Sequence, residues 1–499
     1  MRSGTSLGLV LVVLNGVTAI SNNDADAMFN DWNTAFLSGS QYRRSVDDAT
    51  PDTTWPASLD ILVAEDAFDR TGDAARMTLV NNLLNSWLVA TPPPWSWDGW
   101  NDDIGWFTLA LARGYQITGT QNFLTQAEYG FNYAFGRGWD ETYIGGGIWE
   151  QQPADAQGDG RTPAKEALSN DSLGKVACLL YQGTGNQTYL QSAEKIYAWV
   201  RKNLFNTQTG ALITGIDWNG KAITGTAAYN QGTFIDFATL LWKTTFNSMY
   251  HDDALLALEF GKNSLTKNGI FSNSDTNLNT WADEMARGVG NFVSAAGLWD
   301  KYFDWMNQNA NSILANRRTD KGITWNAWDQ KTLNTDLKTN AFASAVAWLQ
   351  YTPAVKPSNV SGIMYITNKA TGLRIDSGSS LTSGSNIVQW GSNPSLTQKW
   401  LVTQSPDFSW TLTSLRSWLV IDDPNGSTQN GANMIQWRSS RATNQRWWID
   451  QQADGSYKIW NKQSTKALDG SRLTNNGALL AQNDWSGADS QKWLITRAG

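Results

Sequence analysis

The chain has 499 residues, 41% hydrophobic and 17% charged, which excludes intrinsic disorder and leaves room for two or three domains. A net charge of −7 with no long basic run argues against a nucleic-acid partner, whose phosphates must be neutralised by Lys and Arg. One cysteine, Cys178, and one histidine, His251, exclude an internal disulfide and a zinc site, and no motif calls for a metal or cofactor.

Residues 1–19 start with Arg2, run through an apolar core at 7–14 and end in small residues, the pattern of a secretory signal peptide; the alternative is an N-terminal core helix. No later stretch reaches membrane-spanning length, and residues 493–499 lack an apolar tail. The expectation is a secreted monomer without membrane insertion. Sequons stand at Asn170, Asn186, Asn359 and Asn425, the first in a stretch that reads as buried.

Residues 20–352 carry helical periodicity at 59–68, 77–88, 104–115, 123–135, 173–181, 190–204, 233–243, 255–262, 288–306 and 341–349. Tyr115-Gln116-Ile117-Thr118-Gly119 recurs 66 residues later as Tyr181-Gln182-Gly183-Thr184-Gly185, so helical hairpins repeat. An open solenoid and a closed toroid both fit repeats; about ten to twelve helices without terminal caps suit an (α/α)6 toroid, whose helix ends and loops form one cleft.

Within this domain Asp102-Asp103 lies between Trp100 and Trp106, at what reads as a helix start. Adjacent Asp residues there are either caps for free N–H groups or a catalytic pair. A histidine-based triad would need His251, whose setting reads as a helix end or loop, so acid–base work falls to carboxylates. The chain has 28 tryptophans, which serve both core packing and stacking on flat ligands.

Residues 353–360 form a short Pro-containing linker, after which Ser, Asn, Gln, Gly and Trp dominate in short alternating runs. Gln398-Lys399-Trp400, Gln445-Arg446-Trp447 and Gln491-Lys492-Trp493 lie 47 and 46 residues apart. Gln389, Gln436 and Gln482 precede them by nine residues, and Asp376, Asp423 and Asp469 precede those by thirteen. Three units of four short strands close as a β-trefoil over 361–499, with the Gln-x-Trp residues mostly core.

The Gln-x-Trp repeats resemble the ricin-B-type lectins. That resemblance implies shallow sugar pockets: Asp422 or Asp423 with Trp437, Asn444 and Gln445 in the middle repeat, Asp376 with Trp390 in the first, Asp469 in the third. Thr397 stands where Asn is usual, Asn483 replaces an aromatic with Trp485 two positions late, and the family's disulfides are absent.

The helical part resembles the glycoside hydrolase family 76 endo-α-1,6-mannanases. Its matching blocks are Asn101-Asp102-Asp103-Ile104-Gly105-Trp106, Gly145-Gly146-Gly147-Ile148-Trp149, Lys165-Glu166-Ala167-Leu168-Ser169-Asn170 and Tyr229-Asn230-Gln231-Gly232. Phe107 and Glu150 depart from the usual aromatics. The resemblance implies retaining hydrolysis of internal α-1,6-mannosidic bonds, with Asp102 as nucleophile and Asp103 as acid/base. Trp106, Trp149, Asn170, Asp171, Tyr229, Asn230 and Gln231 are the candidate sugar contacts, against core or helix-start roles for each. The implied partners are α-mannan or mannoprotein glycans, with another polysaccharide on the trefoil. A transglycosylase, or a lectin on an inactive helical scaffold, remains open.

Overall fold

A computed structural model describes residues 18–498 apart from Asn277 and Asn279, so most of the expected signal peptide lies outside the described residues. Thirteen helices are present among the described residues: α1 (Asn22–Phe36), α2 (Trp55–Thr71), α3 (Ala74–Ala90), α4 (Asn101–Thr118), α5 (Gln121–Gly138), a short α6 (Pro153–Gly158), α7 (Ala167–Thr184), α8 (Gln187–Asn203), α9 (Ala228–Thr245), α10 (Ser248–Ser264), α11 (Asp283–Ala296), α12 (Trp299–Ala315) and α13 (Ala343–Tyr351). Helices α2, α4, α7, α9, α11 and α13 each pack on the next, and α13 returns against α2 to close an inner ring. The others, α6 aside, form the outer layer of an (α/α)6 toroid.

Burial explains the layering. In α13 every residue except Tyr351 is buried, as suits an inner helix, whereas α8 buries one stripe of Tyr189, Ala193, Ile196, Tyr197, Trp199 and Val200. The closest inner contact uses glycine: a Cβ on Gly232 would lie 2.1 Å from the Met285 backbone nitrogen, so this residue of the Tyr-Asn-Gln-Gly block lets α9 touch α11. The helix expected over 288–306 is two helices, because Gly297 takes φ 63° and ends α11. Helix α1, absent from the periodicity reading, starts at a capping box between Ser21 and Asp24.

The C-terminal domain is the expected β-trefoil. Strands Gly362–Asn368, Trp400–Gln404, Trp410–Ser414, Trp447–Gln451, Tyr457–Asn461 and Lys492–Arg497 pair in a closed ring. Trp400, Trp447 and Trp493 are fully buried, and each indole N–H donates to a carbonyl, of Ile375, Ile421 and Leu468. The other glutamines stitch repeat to repeat: Gln389 donates to Gly470, Gln436 to Ser377 and Gln482 to Asp423.

Between the domains, residues 353–360 do not hold the trefoil at a distance. The trefoil sits on the C-terminal ends of the inner helices. Arg438 donates to the Tyr115 and Thr118 carbonyls of α4, Arg446 to Thr71 at the end of α2, and Arg497 to Ala296 at the end of α11. A cation at a helix C-terminus meets both free carbonyls and the negative end of the dipole. A cavity of about 570 Å³ remains between the domains.

Candidate active site

The candidate site lies at the opposite end of the ring. Helix α4 begins at Asn101 with Trp100 at its cap position, and no side chain caps it. The adjacent aspartates are therefore in the first turn without being its N-cap. The turn is held from outside: the Asn101 N–H donates to the Glu150 carbonyl (2.8 Å), the Asn101 amide donates to Trp149 O (2.8 Å), and Arg137 Nε donates to Asn101 Oδ1 (2.7 Å).

The glycine block explains how Trp149 and Glu150 reach that turn. Gly145, Gly146 and Gly147 all have positive φ, and their loop wraps the Lys165 ammonium, which donates to the carbonyls of Asp140, Tyr143 and Gly146 at 2.6 Å each. Lys165 thus anchors the loop, and its neighbour Glu166 turns to the site.

Five carboxyls gather there: Asp98, Asp102, Asp103, Glu150 and Glu166. The Asp102 carboxyl faces that of Glu150, and the Asp103 carboxyl faces that of Asp98. Burial pushes Asp102 up to about 7. Burial, then the charges of Asp102 and Asp98, pushes Asp103 up to about 9. Burial raises Glu150 well above the usual carboxylate range, helped by the Asp102 charge, and also raises Asp98 and Glu166. Such a cluster can hold a proton on one carboxyl while another stays ionised.

The remaining candidates divide. Trp106 is buried one turn below the pair on α4. Trp149 is buried beneath Lys165 Nζ (4.7 Å) and edge-on to Tyr143, so it belongs to the floor. Tyr229, half-buried, stands edge-on to Trp281 and close enough to Glu166 and Glu150 for their charges to raise its hydroxyl. Asn230 and Asp171 are buried, and neither side chain has a hydrogen-bond partner among the described residues. Two expectations are corrected. The Asn170 amide is consumed by the backbone of Ile148 and Glu166, and that of Gln231 by Leu212, Gly210 and Ala257; both are fully buried and frame the site instead of facing a sugar. Burial also closes the Asn170 sequon.

In the trefoil, the three equivalent carboxylates are Asp376, Asp422 and Asp469, each ending a strand and accepting from the repeat's glutamine, Gln398, Gln445 and Gln491. Asn444 donates to both Asp422 oxygens, and Thr397 takes the Asn role at Asp376. Asp423, equally spaced in sequence, is fully buried and accepts from Gln482 of the next repeat; one extra residue in the middle loop shifts the register. Trp390 and Trp437 are 42% and 46% exposed beside their pockets. In the third repeat Asn483 donates to Asp469 and occupies it, while Trp485 lies by Lys458 instead.

A sequence model described as glycosyl hydrolase family 76 matches residues 21–354, and one described as ricin-type beta-trefoil lectin domain-like matches 347–437, 396–483 and 443–499. The chain belongs to glycosyl hydrolase family 76. Over 119 residues the chain is 33% identical to the mannan endo-1,6-alpha-mannosidase DCW1 of Saccharomyces cerevisiae, covering 23% of this chain and 26% of that protein. The Candida glabrata protein of the same name is 31% identical over 136 residues, 26% of this chain and 29% of that one. The match thus spans little more than a quarter of either relative. Among solved structures, an inactive variant of the alpha-1,6-mannanase GH76A of Salegentibacter sp. HEL1_6, with two adjacent aspartates replaced and alpha-1,6-mannotriose bound, has a TM-score of 0.59 at 22% identity, covering 66% of this chain and 98% of that one. The Lin0763 protein of Listeria innocua also gives 0.59, at 20% identity, covering 66% and 96%. At these identities the likeness is one of fold.

Sequence reasoning missed Asp98, Glu150 as a carboxyl donor, and Trp281. Glu150 did stand out as a charged residue where the family pattern has an aromatic, and that departure was its only signal.

Proposed function

We propose that the protein is a secreted, retaining endo-α-1,6-mannanase that also holds polysaccharide through its trefoil. The observation that carries the reading is the Asp102-Asp103 pair, adjacent on the first turn of α4 and unequal in proton affinity. Family membership and the mannan-directed names of the relatives support the substrate. So does the inactivation of the Salegentibacter mannanase through an adjacent aspartate pair.

In this reading Asp102 attacks the anomeric carbon as Asp103 gives its proton to the departing glycosidic oxygen. The new bond is a glycosyl ester on Asp102. Asp103, now ionised, takes a proton from water as that water attacks the same carbon and returns Asp102 as carboxylate. Tyr229 and Trp281 supply an aromatic wall beside the acids. In the trefoil, Asp376 with Trp390 and Asp422 with Trp437 serve as two sugar pockets, and the third is filled by Asn483. Secretion rests on the charged start and apolar core of residues 1–19.

The test is product release from linear α-1,6-mannan. Asp102→Asn and Asp103→Asn are each expected to lower it by more than about 10³-fold with folding intact. Activity within a few-fold of wild type in either variant defeats the assignment.

A further inference from the structure

The two adjacent aspartates are chemically identical, and something must decide which attacks and which donates. Two further carboxyls are placed to do so. Glu150 reaches the Asp102 carboxyl from the loop after the glycine block, and Asp98 reaches Asp103 from the turn before α4. A carboxyl–carboxyl hydrogen bond needs one proton, so each pair holds a donor and an acceptor.

The surroundings set the direction of each. Asp98 Oδ1 accepts the Trp100 N–H at 2.9 Å, and its Oδ2 is buried with no hydrogen-bond partner among the described residues, leaving a free acceptor toward Asp103, so Asp98 is the acceptor and Asp103 keeps the proton. Asp102 lies in the first turn at the positive end of α4, and its Oδ1 is likewise buried without a hydrogen-bond partner among the described residues. Glu150 has only a longer contact, 3.3 Å, from the Ser169 N–H, and Glu166 and Tyr229 face it. The Arg161 charge lowers the Glu166 carboxyl and the Arg137 charge lowers that of Asp98, whereas the charges that act most strongly on Glu150 are the negative ones of Asp102 and Glu166.

We propose that Glu150 is a positioning residue that selects Asp102 as nucleophile by donating a hydrogen bond to it, while Asp98 accepts from Asp103 and keeps that residue as the acid. The inference rests on the mannanase reading. Glu150 touches no reacting atom and its proton is not consumed: it holds Asp102 ionised before attack, and the bond slackens when Asp102 becomes an ester.

The variants Glu150→Gln and Glu150→Ala separate this from a structural role. Gln keeps an N–H donor for Asp102 and an oxygen for Ser169, so kcat on α-1,6-mannan stays within about 3-fold of wild type. Ala leaves Asp102 buried without a donor; kcat falls at least about 100-fold, KM changes little, and the acid limb of kcat/KM moves to higher pH because Asp102 is harder to ionise. Should Glu150→Ala not fold, Glu150→Met, of similar length with no donor, replaces it. A donor-less variant with wild-type kcat, an equal loss in Glu150→Gln, or a loss without movement of the acid limb overturns the proposal. Wild type and Asp102→Asn, run beside them, keep the outcomes apart: if wild type releases no product from mannan the mannanase reading itself fails, if Asp102→Asn still cleaves mannan the nucleophile assignment fails, and if Asp102→Asn is dead while Glu150→Ala is active only this inference does.

Discussion

Two clusters of buried carboxyls lie in the same ring of helices and meet opposite fates. Around the tip of α4, Asp102 faces Glu150, Asp103 faces Asp98, Glu166 lies beside them, and none of the five makes an ion pair among the described residues. At the centre of the ring, Arg287 donates to Asp66, Asp283 and Glu284 at 2.8–2.9 Å, Lys175 bridges Glu284 and Asp236, and Arg113 joins Asp66 to Asp69. Both clusters carry the cost of leaving water. With cations, the carboxylates form ion pairs that brace the helices. Without them, protons are retained, and retained protons are what acid catalysis requires.

Removing the central cation gives the largest effect. Arg287→Met takes a cation from three buried carboxylates, leaving Asp66 with Arg113, Glu284 with Lys175 and Asp283 with none, and loss of one member of a buried pair costs about 3–5 kcal/mol. Denaturant unfolding is expected to show that loss. A change under about 1 kcal/mol would mean that the central cluster is no better paired than the catalytic one.

The catalytic cluster predicts the reverse sign. Asp103 holds its proton up to about pH 9 in the folded protein, while an unfolded aspartate releases it near pH 4. Between these values the native state binds a proton that the unfolded state does not, so the group lowers stability as pH rises through this window. Asp103→Asn removes that slope. Thermal scans are expected to show no gain at pH 4 and a gain of about 2–5 °C at pH 8, in a variant that no longer turns over. A loss of stability growing with pH would place Asp103 with the paired, structural carboxylates.

The sequence makes parts of this contrast readable. Asp283, Glu284 and Arg287 are three and four residues apart on one helix, a local pairing pattern. Asp66, 221 residues away, is not visible as their partner, nor are Glu150 and Asp98 as partners of the catalytic pair, because each of these contacts is made by the closure of the ring or by a loop folded on Lys165. The trefoil was legible for a different reason: threefold repetition turns tertiary contacts into spacings. Where the repetition slips by one residue, at Asp422 and Asp423, so does the reading. The sequence also shows no preference between a tethered tail and a docked one, since the contacts that decide it are single arginines against helix-end carbonyls.

Those arginines supply the smallest and most discriminating prediction. Helix α4 has 18 residues, about 27 Å, with the acids at one end and Arg438 on the carbonyls of the other. Arg438 also follows Trp437, and its own carbonyl accepts from Gln445, which donates to Asp422. Asp422 of the trefoil and the Asp102-Asp103 pair thus stand at opposite ends of one helix, joined through the half-exposed contact of Arg438. Arg438→Ala removes hydrogen bonds from a charged donor at a helix C-terminus and should cost about 1 kcal/mol, a fall in Tm of about 2–4 °C, with easier proteolysis at 353–360. Turnover of short α-1,6-mannooligosaccharides should be unchanged, because the turn carrying Asp102 is fixed locally by Glu150, Trp149 and Arg137. If turnover falls as well, the rear of the helix reaches its tip, and the docked trefoil is part of the catalytic machinery instead of a fixed anchor behind it.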